Sequence, residues 1–185
     1  MSEIDDIVLV GDPVLRQECE PITKIDADVR ALADHMLECM YAAEGCGLAA
    51  PQVGESVQLV VIDVDYNPEK GGSRNPYVLI NPKILVADGE EASYPEGCLS
   101  FPGITVDVVR PTHVVVQAYN LEGKLMQYEA EGNLMAVCLQ HEIDHLHGVT
   151  MVDHLGPIAR ARAIHESEVA ISRGAQPGQT SADDE

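Results

Sequence analysis

The stretch Gln140-His141-Glu142-Ile143-Asp144-His145 sets two histidines four residues apart around a glutamate, the pattern H-E-x-x-H. Only a helix makes chemical use of that spacing. Four residues turn a helix through about 400°, so the two side chains return to nearly the same face. His141 and His145 can then ligate one divalent metal ion. Glu142, one residue round, can reach a water beside that ion without being a ligand, the place of a general base in metal-assisted hydrolysis. Stepping about 100° per residue from His141, Leu134, Val137, Cys138 and His145 fall within about 60° of it. Met135, Leu139, Ile143 and Leu146 gather on the opposite side, and Asn133, Gln140, Asp144 and His147 share one polar strip. A helix apolar on two sides is buried. The motif is therefore expected at the centre of the domain, its ligands lining an apolar cavity. The competing reading is a solvated helix that happens to carry two histidines.

At 185 residues the chain is expected to form one domain with a real core. No apolar run approaches the roughly 20 residues of a membrane span. The acidic N-terminus, residues 1–6, lacks the basic and apolar regions of a secretory signal. Five cysteines without a paired framework point to a reducing compartment, hence the cytoplasm. A formal net charge of −20 excludes nonspecific nucleic-acid binding, which needs a basic surface. Neither a nucleic acid nor a membrane is expected as a direct partner.

Residues 1–25 read as an irregular arm anchored by Val14, Leu15 and Ile22. From Asp26, a candidate N-cap, to Ala43 the stripe Val29, Leu32, Ala33, Met36, Leu37, Met40 predicts a helix. His35 and Cys39 on it read as structural. Three glycines and a proline in Gly45–Gly54 predict an irregular loop, in which Gln52 can point into a cavity. Strands are expected at Gln58–Asp65, at Tyr77–Asn81 and Lys83–Ala87 on either side of Pro82, at Ile104–Val109, His113–Tyr119 and Leu125–Ala130, and briefly at Val149–Val152. Short strands joined by turns, without βαβ units, predict an α+β fold in which antiparallel β-sheets surround the central buried helix that carries the metal motif. A last helix is expected from about Gly156 to Ser172. Residues 1–172 then form a single catalytic metallohydrolase domain, and 173–185 a disordered acidic tail.

A catalytic metal usually takes three protein ligands and keeps one position for water. Cys98, in the turn Glu96-Gly97-Cys98-Leu99-Ser100, is the best-placed soft donor for the third position, against the plain alternative of a buried thiol.

Taken together, Gly45-Cys46-Gly47-Leu48-Ala49-Ala50-Pro51-Gln52, Glu96-Gly97-Cys98-Leu99-Ser100 and Gln140-His141-Glu142-Ile143-Asp144-His145-Leu146 resemble, in content and order, the three signature motifs of the peptide deformylases. The resemblance covers about residues 5–155. It implies removal of the formyl group from the N-terminal formyl-methionine of nascent peptides, yielding formate. It implies that Cys98, His141 and His145 hold one divalent metal ion per chain, Fe²⁺ in the cell with Zn²⁺ possible, and that Glu142 is the acid/base residue. It further implies that Gln52 and the Leu99 N–H hold the carbonyl oxygen, that Gly47 meets the substrate backbone, and that Glu96 and Arg110 form a supporting ion pair. Cys46 stands beside the substrate groove, where the family usually has Ile or Val. Leu134, Val137 and Cys138 form a candidate methionine pocket, with core packing as the competing role. Thr150-Met151 replaces a bulkier pair. The C-terminal segment has few basic residues, Arg160, Arg162 and Arg173, which argues against direct docking on the ribosome although nascent chains place the protein near it.

A zinc metallo-endopeptidase shares the H-E-x-x-H helix. One peptidase pattern continues -x-x-G-x-x-H; Gly148 fits it, but Met151 occupies the last histidine position. Another takes a distant glutamate, for which Glu166 is the candidate. A structural metal site would need a fourth protein ligand, with His147 and Cys138 nearest.

Overall fold

A computed structural model describes residues 3–180. The fold is mixed α+β, with three helices and one five-stranded antiparallel sheet whose strands lie in chain order. Helix α1, Ala27–Ala42, starts as its sequence predicts: the Asp26 carboxylate accepts from the N–H groups of Asp28 and Val29. Helix α2, Leu134–Leu146, carries H-E-x-x-H. Its cap is Asn133, whose side chain accepts from the Ala136 N–H at 3.0 Å; losing such a cap typically costs about 1 kcal/mol. Helix α3, Pro157–Ser172, opens on Pro157, where a missing N–H sacrifices no helical bond.

The strands are β1 Gly47–Ala49, β2 Leu59–Ile62, β3 Tyr77–Glu96, β4 Val106–Tyr119 and β5 Leu125–Glu131. All four residues of β2 are buried. Val60 and Ile62 pack with Leu139, Ile143 and Leu146 of α2. Leu59 and Val61 pack with Met36 and Met40 of α1. Because this part of the sheet is covered on both faces, β2 reads as a continuous apolar run and not as an alternation. A third cluster, Phe101, Ile104, Val108, Met151, Val152 and Ala163, ties the loop after β3 to α3. Every residue of α2 from Ala136 to Ile143 is buried, as its two apolar sides predict.

Several elements differ from their sequence expectation. The sheet is single where several were expected. Tyr77–Asn81 and Lys83–Ala87 belong to one long strand that runs on through Asp88-Gly89 to Glu96. The pairing of β3 with β4 shifts register at Ile80/Lys83, Ile84/Val86 and Asp88/Glu91. Bulges at these points absorb Pro82 and Gly89, which in isolation read as strand breakers. The two strands expected at Ile104–Val109 and His113–Tyr119 likewise merge into β4 across Pro111. Gly47–Ala49, expected as irregular loop, is a strand paired antiparallel with β2. Val149–Val152 is not a strand: a 3-10 turn spans Met151–His154, and the Asp153 carboxylate accepts from the Thr150 N–H at 2.8 Å. Of the tail expected to be disordered, residues 173–180 fold back toward the loop after β3, with the Gly103 N–H donating to the Gln179 carbonyl at 2.8 Å. The rest of that tail, 181–185, lies outside the described residues. Among the described residues no helix is long and apolar enough to cross a membrane.

Candidate active site

Three segments converge on one cavity of about 270 Å³. Helix α2 presents His141, Glu142 and His145 from one face. The turn after β3 presents Cys98 and Leu99. Strand β1 and the 3-10 turn Ala50–Val53 present Gly47 and Gln52. Ligand atoms of Cys98, His141 and His145 all lie within 4.8 Å of one another, close enough to hold one metal ion. Cys98 Sγ is 3.4 Å from His145 Nε2. His147 and Cys138 are not in this group. His147 faces outward and pairs with Glu18 at 2.6 Å, while the Cys138 thiol donates to the Cys46 carbonyl at 3.6 Å. Glu166 lines a separate cavity beside His165 and Arg173, and Met151 is buried in the cluster under α3. Neither peptidase pattern is therefore completed.

The ring orientations are held from outside. His141 Nδ1–H donates to Glu96 at 2.8 Å. Glu96 in turn accepts two bonds from Arg110, at 2.5 and 3.0 Å, and Arg110 also reaches Asp144 at 2.9 Å. The expected ion pair is thus a buried chain that fixes which His141 nitrogen faces the cavity. Such partners orient a metal-binding histidine and raise its basicity. Burial works against charge on both imidazoles. At His141 the neighbouring Cys98 and Glu96 outweigh it and hold the ring well above the usual range. At His145, burial and then His141 and Arg110 push the ring well below it, so that ring is neutral.

Glu142 is buried, and its Oε2 is one of two buried side-chain atoms without a hydrogen-bond partner among the described residues; the other is His145 Nδ1. Burial pushes the Glu142 carboxyl up to about 8, with His141 opposing the rise and Cys46 and Glu96 adding to it. An unpartnered carboxyl beside a converging thiol and two imidazoles is costly as it stands. A cation would favour its ionised form. Gln52 is held by the Ala49 N–H, which donates to its Oε1 at 2.9 Å, so that its Nε2 points at Ser100 Oγ (3.2 Å) and Cys98 Sγ (3.6 Å). The donor set of one thiol and two imidazoles suits a soft or borderline divalent ion.

The expected substrate-side residues also line the cavity: Cys46, Gly47, Leu134, Val137 and Cys138. Gly47 has no room for a side chain. A Cβ there would fall 2.6 Å from Glu142 Oε1 and 2.7 Å from Cys138 Sγ. Leu134 is exposed at the rim, whereas Val137 and Cys138 are buried. Cys46 Sγ and Cys138 Sγ are 3.9 Å apart.

Two features escape sequence reading. Gly178, Gln179 and Thr180 line the same cavity from the far end of the chain. His35 and Cys39, read as structural, meet Asp6 in a second three-donor group. The four-residue spacing of His35 and Cys39 was a visible signal; the approach of Asp6 had none.

The polypeptide deformylase family model matches residues 4–161. The chain is 45% identical over 174 residues to the peptide deformylase of Rhizobium meliloti (strain 1021), an alignment spanning 94% of this chain and 98% of that protein. Among solved structures it resembles a peptide deformylase from Legionella pneumophila, with a TM-score of 0.82 and 39% identity over 90% of this chain and 94% of that one. It also resembles a peptide deformylase from Synechococcus elongatus in complex with actinonin, with a TM-score of 0.80 and 41% identity over 88% and 86%. A family match across most of the chain, joined to close relatives in sequence and in fold, makes this chain a member of the polypeptide deformylases, the metal-dependent hydrolases that remove N-formyl groups.

Proposed function

We propose that this chain hydrolyses the formyl amide of N-terminal formyl-methionine on new polypeptides at the cavity where Cys98, His141 and His145 meet, releasing formate and a free amine. The observation that carries this residue-level reading is the convergence of three ligand atoms within 4.8 Å beside a buried carboxyl that has no partner for its Oε2. In this reading Cys98 Sγ and one ring nitrogen each of His141 and His145 hold one divalent ion, Fe²⁺ in the cell. When bound, such an ion supplies Lewis acidity and lowers the pKa of water at its open position.

The chain's own residues do the rest. Glu142 orients the attacking water and takes its proton. It then delivers that proton to the amine nitrogen as the C–N bond breaks. Gln52 Nε2 and the Leu99 N–H donate to the formyl oxygen as it gains negative charge; removing one such donor typically costs about 10²–10³ in rate. Glu96 holds His141 in the ligating orientation. Cys46, Gly47, Leu134, Val137 and Cys138 wall the substrate side, with Val137 and Cys138 against the methionine side chain. A formyl group offers little surface, so recognition rests on that side chain and on the peptide backbone.

We assign this chemistry to one unit, residues 1–172, working in the cytoplasm where nascent chains emerge. Substrate reaches it through the peptide and not through docking on the ribosome, since α3 and its continuation carry only Arg160, Arg162 and Arg173 as basic residues other than histidine. The test is formate release from a formyl-methionyl peptide, with metal analysis of the same sample. Stoichiometric metal without formate release would overturn the reading.

A further inference from the structure

Past the end of α3, the chain turns back over the cavity. The turn is set by Gln176 and Gln179: the Gln176 N–H donates to Gln179 Oε1 at 2.7 Å, and the Gln179 N–H to the Gln176 carbonyl at 3.1 Å. Between them Pro177 is buried. On one side Gly178 presses on the backbone of Ala43, at the end of α1, so closely that a Cβ would overlap the Ala43 carbonyl. Gly178 also has a φ of +93°, which L side chains rarely adopt. On the other side the Gly103 N–H donates to the Gln179 carbonyl at 2.8 Å. Thr180 Cγ2 lies 3.4 Å from where a Gly97 Cβ would be. The segment therefore bridges the two rims of the cavity, the Glu44–Gly47 rim and the Pro95–Leu99 rim, and its own residues 178–180 line the space between them.

A formyl-peptide must place its first residue inside this cavity and lead the rest of its chain out through the mouth. We propose that residues 174–180 are a strap across that mouth and a specificity determinant: the closed strap admits a formyl-methionyl dipeptide, and longer chains bind only when it is displaced. This rests on the deformylase reading of the cavity. Among the described residues the strap meets one rim through the backbone bond to Gly103 and the other through Gly178, a glycine that tolerates no side chain; these are the two points where it can be released. A substrate that binds only the open form has its apparent affinity reduced by the open fraction. The signature of removing the strap is then a lower KM with unchanged kcat, confined to long substrates.

The test uses three variants: a stop after Gly174, Gly178→Ala, and a stop after Thr180 as control. Each is assayed with a formyl-methionyl dipeptide and a formyl-methionyl tetrapeptide. The first two variants should lower KM for the tetrapeptide by about three- to tenfold at constant kcat, with little change for the dipeptide. The control should match the wild type. Hydrogen exchange at the Gly103 amide gives a reading independent of turnover. It should be protected in wild type and exposed in the first two variants. It should also become exposed when the tetrapeptide is added to the Glu142→Ala protein. Equal tetrapeptide KM in all proteins, a raised KM on truncation, or Gly103 exchange unaffected by Gly178→Ala would overturn the strap. A wild type that releases no formate from either peptide would overturn the deformylase reading of the cavity instead.

Discussion

Helices α1 and α2 each carry two potential metal donors four residues apart, and each pair is joined by a third from elsewhere in the chain. On α2, His141 and His145 meet Cys98; on α1, His35 and Cys39 meet Asp6. Local spacing is the same in both, yet the surroundings differ in every respect that matters to a cation. In the α2 group both histidines are buried and Cys98 is half-buried, with Glu96 behind His141 Nδ1 and the amide of Gln52 facing the thiol. The α1 group is open at its Asp6 end, where His35 Nε2 is 3.6 Å from the Asp6 carboxylate. Its thiol is held protonated: burial first, then Asp6, Glu3 and Glu38, push Cys39 up to about 11. A metal needs the thiolate. Spacing on a helix does not by itself separate the two groups; the outer carboxylate and the cavity do.

Substitutions in the two groups should differ in effect, and the largest effect falls on Glu142. Glu142→Ala removes the proposed proton carrier without removing a ligand. Formate release should fall by about 10²–10⁴-fold while metal content stays near one per chain; metal loss in this variant would show that Glu142 is a ligand. Next comes Glu96→Gln, which takes the charge from the group that orients His141. Metal affinity, measured by competition with a chelator, should weaken by about 10–100-fold. The same change leaves Arg110 short of a buried partner, so thermal stability should drop as well. On α1 the matching substitution, His35→Ala, should leave both metal content and formate release at the wild-type level.

The smallest effect is a pH dependence at Cys39. Its pKa is raised in the folded protein, from about 9 to about 11. The folded state therefore keeps a proton that the unfolded chain loses first. Stability from this group is complete below about pH 9 and is lost as pH rises to about 11. Urea unfolding across this window should show stability falling with pH. Cys39→Ala should flatten the slope by up to about 1.4 kcal/mol per pH unit, one proton's worth. Cys19, also pushed up to about 11 by burial and by Glu18, keeps its share of the slope in that variant. An unchanged slope would place the Cys39 thiol in solvent.

What the sequence revealed follows the same division between local and distant causes. Helices α1 and α2 were legible because their causes are local: a 3.6-residue apolar period behind Asp26, which does cap α1, and in α2 the helical return of His141 to His145 between two apolar sides; that Asn133 caps α2 is seen only in the structure. The three motif segments were legible because their residue types are chemical requirements, and the structure brings Gln52, Cys98, His141 and Glu142 to one cavity, with His145 behind it against Cys98. Strand β3 was not legible as one element. Pro82 and Asp88-Gly89 break a strand locally, and only the partner strand, through register shifts, carries the pairing past them. The three-residue β1 was hidden among glycines, since its pairing with β2 is its whole reason to be extended. The packing of residues 176–180 was not legible because a Gly/Ser/Pro-rich, acidic segment reads as unpacked. Here the absence of a side chain at Gly178 is what permits its close approach to Ala43.

In the proposed reading the metal sits on the α2 group through the Cys98 thiolate. Replacing the native ion with Co²⁺ reads this directly, because a thiolate ligand adds a sulfur-to-metal charge-transfer band in the near ultraviolet. The wild type should bind one Co²⁺ per chain and show the band. Cys39→Ala should keep both, and Cys98→Ala should lose the band together with most of the metal. A band that survives in Cys98→Ala, or disappears in Cys39→Ala, would contradict the claim and move the metal to another site.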